Sequence, residues 1–124
     1  MSSEKQFLES ANPPWGRWEV LLDKPGYKVK QIIVNPGHKL SYQKHAKRKE
    51  HWYAVKGEGL IILDGQEHVL KPGEAIDIPA EMLHRAINQH TEPFVFIEVQ
   101  MGSYLGEDDI VRLEDSYGRS SATT

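Results

Sequence analysis

Turn signals built from glycine, proline and aspartate interrupt this 124-residue chain at short intervals. Between them lie short runs rich in β-branched and aromatic residues, such as YKVKQIIVN and FVFIEVQ. Runs of this length and composition are typical of β-strands, and the pair Asp64-Gly65 is a strong signal for a hairpin. We count about nine such strands with almost no helical periodicity, a pattern that predicts an all-β barrel or sandwich of antiparallel strands.

One domain and two short tails are expected from the chain. Residues 1–12 and 119–124 are polar and carry no periodic pattern, so we predict that both are flexible. Residues 13–118 are long enough for a single hydrophobic core. One segment within them, GEDDIVRLED, differs from the strand pattern because it spaces Ile110 and Leu113 three residues apart behind acidic residues. This spacing predicts a short C-terminal helix.

Composition excludes several classes of function. The 18 acidic and 15 basic residues leave a net charge of −3, which gives no indication of a nucleic-acid partner. The chain has no cysteine, so thiol catalysis, disulfides and cysteine-ligated zinc are excluded together. No apolar run reaches the length of a membrane span, and the start MSSEKQ lacks a signal-peptide core. We therefore expect a cytoplasmic protein without a membrane partner.

The stretch GHKLSYQKHAKRKEHWYAVKG, residues 37–57, contains metal-binding side chains at regular intervals. Gln43 and His45 are two residues apart, so they point the same way on an extended strand. Glu50 begins the next strand, which a short loop folds back beside the first, and His84 lies in a later strand. Two imidazoles, one carboxylate and one amide oxygen suit one divalent first-row metal ion. Zinc is our first expectation, with iron, manganese, cobalt and nickel as alternatives.

A second set of polar residues lies in the strand FVFIEVQ. Alternation places Glu98 and Gln100 on the same face as Phe94 and Phe96. Polar groups among aromatic neighbours are costly unless they line a cavity. We therefore interpret Glu98 as a candidate general base and Gln100 as a candidate substrate contact.

Two stretches resemble the motifs of the cupin superfamily. The first motif, G-x5-H-x-H-x3-4-E-x6-G, corresponds to residues 37–57, with Gln43 in place of the first histidine. The second, G-x5-P-x-G-x2-H-x3-N, corresponds to residues 73–88, with Glu81 in place of the glycine. The resemblance implies the cupin fold, which is a double-stranded β-helix or jelly-roll barrel.

A narrower resemblance extends over most of the chain. Segments such as PWGRWEVL, RKEHWYAVKGEG, IPAEMLHRAIN and PFVFIEVQMGSYLGEDDIVRLEDSYGR are similar to the isomerase domain of type II phosphomannose isomerases. In that family the domain commonly follows a mannose-1-phosphate guanylyltransferase domain and serves GDP-mannose and polysaccharide biosynthesis. The resemblance implies interconversion of mannose 6-phosphate and fructose 6-phosphate, and a metal bound through a Gln, His, Glu, His set. Lys49 stands where the family usually has serine, so substrate contacts there are expected to differ.

Three basic residues are candidates for binding a phosphorylated substrate. Arg48 is part of the family motif and of a basic loop at the expected mouth of the site, although charge runs usually form a solvated surface. Lys30 is interpreted either as an exposed strand position or as a substrate contact. Arg112 is also a candidate catalytic residue, which clamps the phosphate or closes the pocket; the alternative is that it caps a surface helix.

Two other functions stay open at this point. The chain could be a non-catalytic module that binds metal or sugar phosphate. His45, Glu50 and His84 also form the two-histidine, one-carboxylate set of iron oxygenases, although Gln43 argues against that class. Cupins often pair through their sheet edges, and PPWGRWEV offers such a contact, so by family analogy we expect a homodimer.

Overall fold

The computed structural model describes residues 8–114, which form eleven β-strands and no helix. The strands are, in chain order, β1 (Glu9–Ala11), β2 (Gly16–Lys24), β3 (Tyr27–Val34), β4 (Tyr42–Lys44), β5 (Arg48–Lys56), β6 (Gly59–Leu63), β7 (Gln66–Leu70), β8 (Ala75–Ile78), β9 (His84–Ile87), β10 (Phe94–Gly102) and β11 (Val111–Glu114). They pair into a six-stranded sheet of order β1-β2-β3-β10-β5-β8 and a five-stranded sheet of order β11-β4-β9-β6-β7. Neighbouring strands run antiparallel. The predicted all-β jelly-roll architecture is therefore confirmed.

The hydrophobic core is built from the facing sides of the two sheets. Alternate side chains of β5 and β10 are buried while those between them are more exposed, as a period of two requires. Trp52 and Phe96 stack with ring centroids 4.4 Å apart, and residues of the five-stranded sheet such as Ile61 and Ala86 complete the cluster. Glu98 and Gln100 share the buried face of β10, as the alternation predicted.

The predicted C-terminal helix is wrong. Val111–Glu114 form strand β11, which pairs with β4 and places Arg112 opposite Gln43. The three-residue spacing of Ile110 and Leu113 indicates a helix only locally. Hydrogen bonds to β4 at the sheet edge outweigh that local preference. In addition, the described residues include no helix long and apolar enough to cross a membrane.

The N-terminal boundary expected at residue 12 also needs correction. Glu9–Ala11 form strand β1, which pairs with β2 and covers the edge that PPWGRWEV would otherwise offer to a partner. Trp15 is buried, so this segment faces the interior instead of presenting its tryptophans outward. Residues 1–7 and the predicted tail 119–124 lie outside the described residues, and the homodimer remains a prediction.

The turn between β5 and β6 depends on Gly57. Its backbone has φ of +72°, and a Cβ atom there would lie 2.3 Å from the carbonyl oxygen of Pro93. Gly65, in the β6–β7 hairpin, has a similar φ of +83° but open space around the same position. Replacement of Gly65 therefore carries only the cost of the backbone conformation, whereas replacement of Gly57 adds the cost of a steric clash.

We expect Gly57→Ala to lower the free energy of unfolding by about 2–4 kcal/mol, because it adds a clash to the conformational cost. Gly65→Ala is the matched control and should lose only about 1 kcal/mol. Urea-induced unfolding followed by circular dichroism measures both. Equal losses in the two variants would contradict a role for the close approach to Pro93.

Candidate metal centre

His45, Glu50 and His84 converge in the interior between the two sheets. His45 directly follows β4, Glu50 lies on β5 and His84 begins β9. His45 Nε2 lies 3.2 Å from Glu50 Oε2, and His84 Nε2 lies 3.9 Å from Glu50 Oε1. The three potential ligand atoms fall within 4.8 Å of one another. Such a buried arrangement of two imidazoles and a carboxylate has the composition of a divalent-metal site.

Backbone carbonyls orient both imidazole rings. His45 Nδ1 lies 2.6 Å from the carbonyl oxygen of Asp109, and His84 Nδ1 lies 2.9 Å from that of Met82. In each ring Nδ1–H donates to the carbonyl, which leaves the lone pair of Nε2 directed into the cluster. His84 Nε2 is buried and has no hydrogen-bond partner among the described residues. A metal ion fits this donor set.

The protonation states also suit metal binding. Burial lowers the pKa of His45 to about 4, and the positive charge of Arg48 acts in the same direction. Burial also lowers the pKa of His84 to about 4. Both imidazoles are therefore neutral at pH 7, as metal coordination requires. Glu50 accepts hydrogen bonds from Arg48 Nε and Trp52 Nε1, each at 2.8 Å, and these donors fix the orientation of its carboxylate.

Gln43, the predicted fourth ligand, lies on β4 directly opposite His84 of β9. Its side chain lines the cavity beside the cluster, and its Oε1 accepts a 2.6 Å hydrogen bond from Ser41 Oγ. Ser41, which is 1% exposed, was not predicted from the sequence. Its position two residues before Gln43 on the same face of the chain is the signal that could have identified it.

The cavity beside the cluster contains most of the other predicted site residues. Its volume is about 80 Å³. Aromatic side chains form part of its wall, and its polar lining includes Lys30, Gln43, His45, Arg48, Glu98, Glu107 and Arg112. Gln100 is fully buried opposite Glu50 in the β10–β5 register but does not line this cavity, so the structure does not place it in direct reach of a ligand there.

Glu98 lies on β10 between Lys30 of β3 and Trp52 of β5. Burial raises the pKa of Glu98 to about 7, the negative charge of Glu50 and a hydrogen bond with it act in the same direction, and Lys30 and Arg48 oppose the shift. The charge of a bound metal cation would also oppose it. Glu98 is therefore a carboxyl group whose charge depends on its immediate neighbours.

Lys30 and Arg48 are both buried. The interpretation of Lys30 as an exposed strand position is therefore wrong, and so is that of Arg48 as part of a solvated loop. Lys30 Nζ donates to Glu107 Oε2 at 2.9 Å and lies 4.0 Å from the centroid of the Trp18 ring. Arg48 has a second contact besides Glu50, since its Nη2 lies 3.2 Å from His45 Nε2. The sequence reading missed Glu107 because it interpreted the acidic run as the start of a helix.

A wider groove of about 540 Å³ lies against the outer side of β5, β8 and β10. Lys49, His51 and Asp77 line it, and His51 Nδ1 lies 2.7 Å from Asp77 Oδ1. Lys49 is exposed and follows Arg48 on the strand, so it points away from the metal cluster. Its difference from the family's usual serine therefore does not alter the lining of the inner cavity.

An antiparallel two-sheet barrel with an interior cluster of two histidines and a glutamate defines this chain as a cupin. Similar solved structures include the capsular polysaccharide assembling protein CapF of Staphylococcus aureus, with a TM-score of 0.76, 21% identity, and coverage of 86% of this chain and 34% of CapF. Another is a double-stranded β-helix protein of Klebsiella pneumoniae, with a TM-score of 0.68, 23% identity, and coverage of 76% and 80%.

The chain belongs to the family described as Mannose-6-phosphate isomerase C-terminal, whose profile matches residues 2–115. It is 41% identical over 106 residues to a mannose-1-phosphate guanylyltransferase of Klebsiella pneumoniae, which covers 86% of this chain. It is 44% identical over 108 residues to the alginate biosynthesis protein AlgA of Pseudomonas aeruginosa, which covers 87% of this chain. The chain spans 22% of the length of each of these two relatives.

We expect His84→Ala to lose metal binding, because the variant removes one of two neutral nitrogen donors from the cluster. The metal content of purified protein, measured by mass spectrometry, should fall from about one ion per chain to near zero. Addition of metal should raise the melting temperature of the wild type but not of the variant. His51→Ala, which removes an exposed histidine on the outer face, is the control and should retain the ion. Full metal content in His84→Ala would contradict the assignment.

Proposed function

We propose that this domain is a metal-dependent sugar-phosphate isomerase that interconverts mannose 6-phosphate and fructose 6-phosphate. The observation that carries the proposal is the His45–Glu50–His84 cluster next to a cavity that is lined by His45 and by a buried carboxyl group, Glu98. Family membership supports the same class of substrate. The names of the relatives, which refer to mannose-1-phosphate and alginate, support a role in GDP-mannose or polysaccharide biosynthesis.

The reaction sets two chemical requirements. A proton must leave C2 of the aldose and return to C1 through an enediol, so a base must reach both carbons. The oxygen that becomes negative during enolisation must face a positive centre. A divalent ion held by His45, Glu50 and His84, with Gln43 as the fourth ligand, supplies that positive charge when bound.

Glu98 is the proposed base that moves the proton. It lies at the centre of the six-stranded sheet, where its strand β10 is held between β3 and β5. Glu98 is 5% exposed, which limits the access of water to a proton in transit. Arg48 Nη2 lies 4.0 Å from Glu98 Oε2 and provides a nearby positive charge for its anionic form. In the proposed mechanism Glu98 takes the proton from C2 and delivers it to C1, so that no second base is needed.

The positive side chains of the cavity are proposed to bind the phosphate. Lys30, Arg48 and Arg112 line the cavity, where a dianionic group needs cationic donors. Arg112 reaches the cavity because strand β11 pairs with β4 at the edge of the five-stranded sheet. Arg112 has this position because Val111–Glu114 form a strand and not the predicted helix.

We expect metal-loaded wild-type protein to convert mannose 6-phosphate into fructose 6-phosphate in a coupled assay, and chelated protein to be inactive. Glu98→Gln should lower kcat by about 10²–10⁴-fold, because it removes the base while keeping the size of the side chain. Its metal content should stay unchanged. Glu92→Gln, an exposed site before β10, is the control and should keep wild-type kcat. A kcat of Glu98→Gln equal to that of the wild type would exclude Glu98 as the base.

A sugar-phosphate-binding module without turnover is the second candidate function. The observation that favours it is the lining of the cavity by Lys30, Arg48 and Arg112, which suits a phosphate group whether or not a proton is moved. Saturable binding of mannose 6-phosphate without product, measured on metal-loaded protein, would favour this function over isomerisation.

A further inference from the structure

Residues 103–110, here called the cover segment, connect β10 to β11 and lie against the inner cavity. Glu107 and Ile110 of this segment line the cavity directly. The carbonyl oxygen of Leu105 accepts a 2.9 Å hydrogen bond from Lys28 Nζ. The carboxylate of Asp109 accepts hydrogen bonds at 2.9 Å from the backbone N–H groups of Ala46 and Lys47. The cover segment is therefore held in place by a few polar contacts.

The two side chains of the Glu107–Lys30 ion pair differ in burial. The side chain of Lys30 is 4% exposed, whereas that of Glu107 is 41% exposed. A buried ammonium group requires an anionic or polar partner, because its own desolvation is costly. The partner here comes from an exposed loop, whose carboxylate loses little by moving into water. Glu107 is thus the member of the pair that can leave.

Further donors remain available beside Lys30. Arg48 is 5% exposed and lines the cavity, and its Nη1 is buried without a hydrogen-bond partner in residues 8–114. Its Nε is already engaged with Glu50. The cavity thus combines an ammonium group paired with a removable carboxylate and a guanidinium nitrogen with unused donor capacity. Both groups are suited to an anion with several acceptor oxygens.

The cavity is too small for a sugar phosphate, so part of its wall must move before such a ligand binds. The space measures about 80 Å³. Pockets for small-molecule ligands generally measure roughly 300–1,000 Å³. Displacement of Glu107 would enlarge the space at the point where Lys30 and Trp18 meet, because all three residues line it.

We propose that Lys30 is the phosphate anchor of this site and that Glu107 is an internal anion which occupies the anchor, and keeps the cover segment closed, until a phosphate group displaces it. The inference rests on the proposed function, since the ligand that it names is the phosphate of a sugar phosphate. The exchange is non-covalent. One carboxylate is replaced at the ammonium group by one phosphate, and the carboxylate returns to solvent.

Tryptophan fluorescence tests the exchange, because all three tryptophans of the chain, Trp15, Trp18 and Trp52, line the cavity. The metal-loaded 124-residue chain is titrated with mannose 6-phosphate, with inorganic phosphate and with mannose. Glu107→Gln should lower the Kd for both phosphate-bearing ligands by about three- to tenfold, because the competing charge is gone. Its response to mannose should not change.

Two further variants complete the test. Lys30→Met should raise the Kd for the phosphate-bearing ligands at least about tenfold, while Lys30→Arg should restore part of the affinity. Asp108→Asn removes the same charge from the same segment without touching Lys30, since its carboxylate accepts a hydrogen bond from Tyr104, and it should bind as the wild type does. Thermal unfolding of each variant verifies that it is folded.

Unchanged or weaker phosphate binding by Glu107→Gln would overturn the proposal, as would wild-type binding by Lys30→Met. An equal gain in Asp108→Asn would also overturn it, because the effect would then be general electrostatics. The outcomes separate this inference from the proposed isomerase. Tighter phosphate binding by Glu107→Gln without turnover in the wild type leaves the anchor intact and refutes the isomerase. Turnover by the wild type, together with no gain in phosphate affinity in Glu107→Gln, supports the isomerase and refutes the anchor exchange.

Discussion

The interior of the barrel depends on the buried ion pair between Arg48 and Glu50. Both side chains are almost fully buried, and the distance from Arg48 Nε to Glu50 Oε2 is 2.8 Å. Loss of one member of such a pair leaves an uncompensated charge and typically costs about 3–5 kcal/mol. The pair also determines chemistry, because the hydrogen bond from Arg48 fixes the orientation of the Glu50 carboxylate beside two neutral imidazoles. Arg48, two residues before Glu50 on the same face of β5, therefore acts as both a structural and an electrostatic support.

Patterns local to one strand predicted the site best. Alternation in β10 identified the buried face that carries Glu98 and Gln100, because the direction of a side chain in a strand depends only on its position in the alternation. The spacing of His45 and Glu50 likewise reflects two adjoining strands joined by a short loop. Their convergence with His84 could be expected only through the motif resemblance, since nothing local relates residue 84 to residue 45.

Features that depend on distant pairing could not be predicted. Lys30 and Glu107 are 77 positions apart in the chain, and only the folded sheets bring them together. The burial of Lys30 was ambiguous, because apolar residues occupy both faces of β3. Strand β11 was predicted wrongly for a similar reason, since its conformation is set by its pairing with β4.

The backbone of Glu81 is a different case. Its φ of +69° explains why the family motif has glycine there, and its N–H donates to the carbonyl oxygen of His45 at 2.8 Å, a contact that helps to hold the strained backbone.

The hydrogen bond between His45 and the carbonyl oxygen of Asp109 connects the metal cluster to the cover segment. His45 is a proposed ligand, and Asp109 belongs to the cover segment. Movement of that segment would weaken the contact that fixes the tautomer of His45, so cation affinity and closure would be thermodynamically coupled. Such coupling is reciprocal. An ion that binds more tightly when the segment is closed must therefore favour the closed state by the same factor, and the choice of metal would set how readily the cover segment opens.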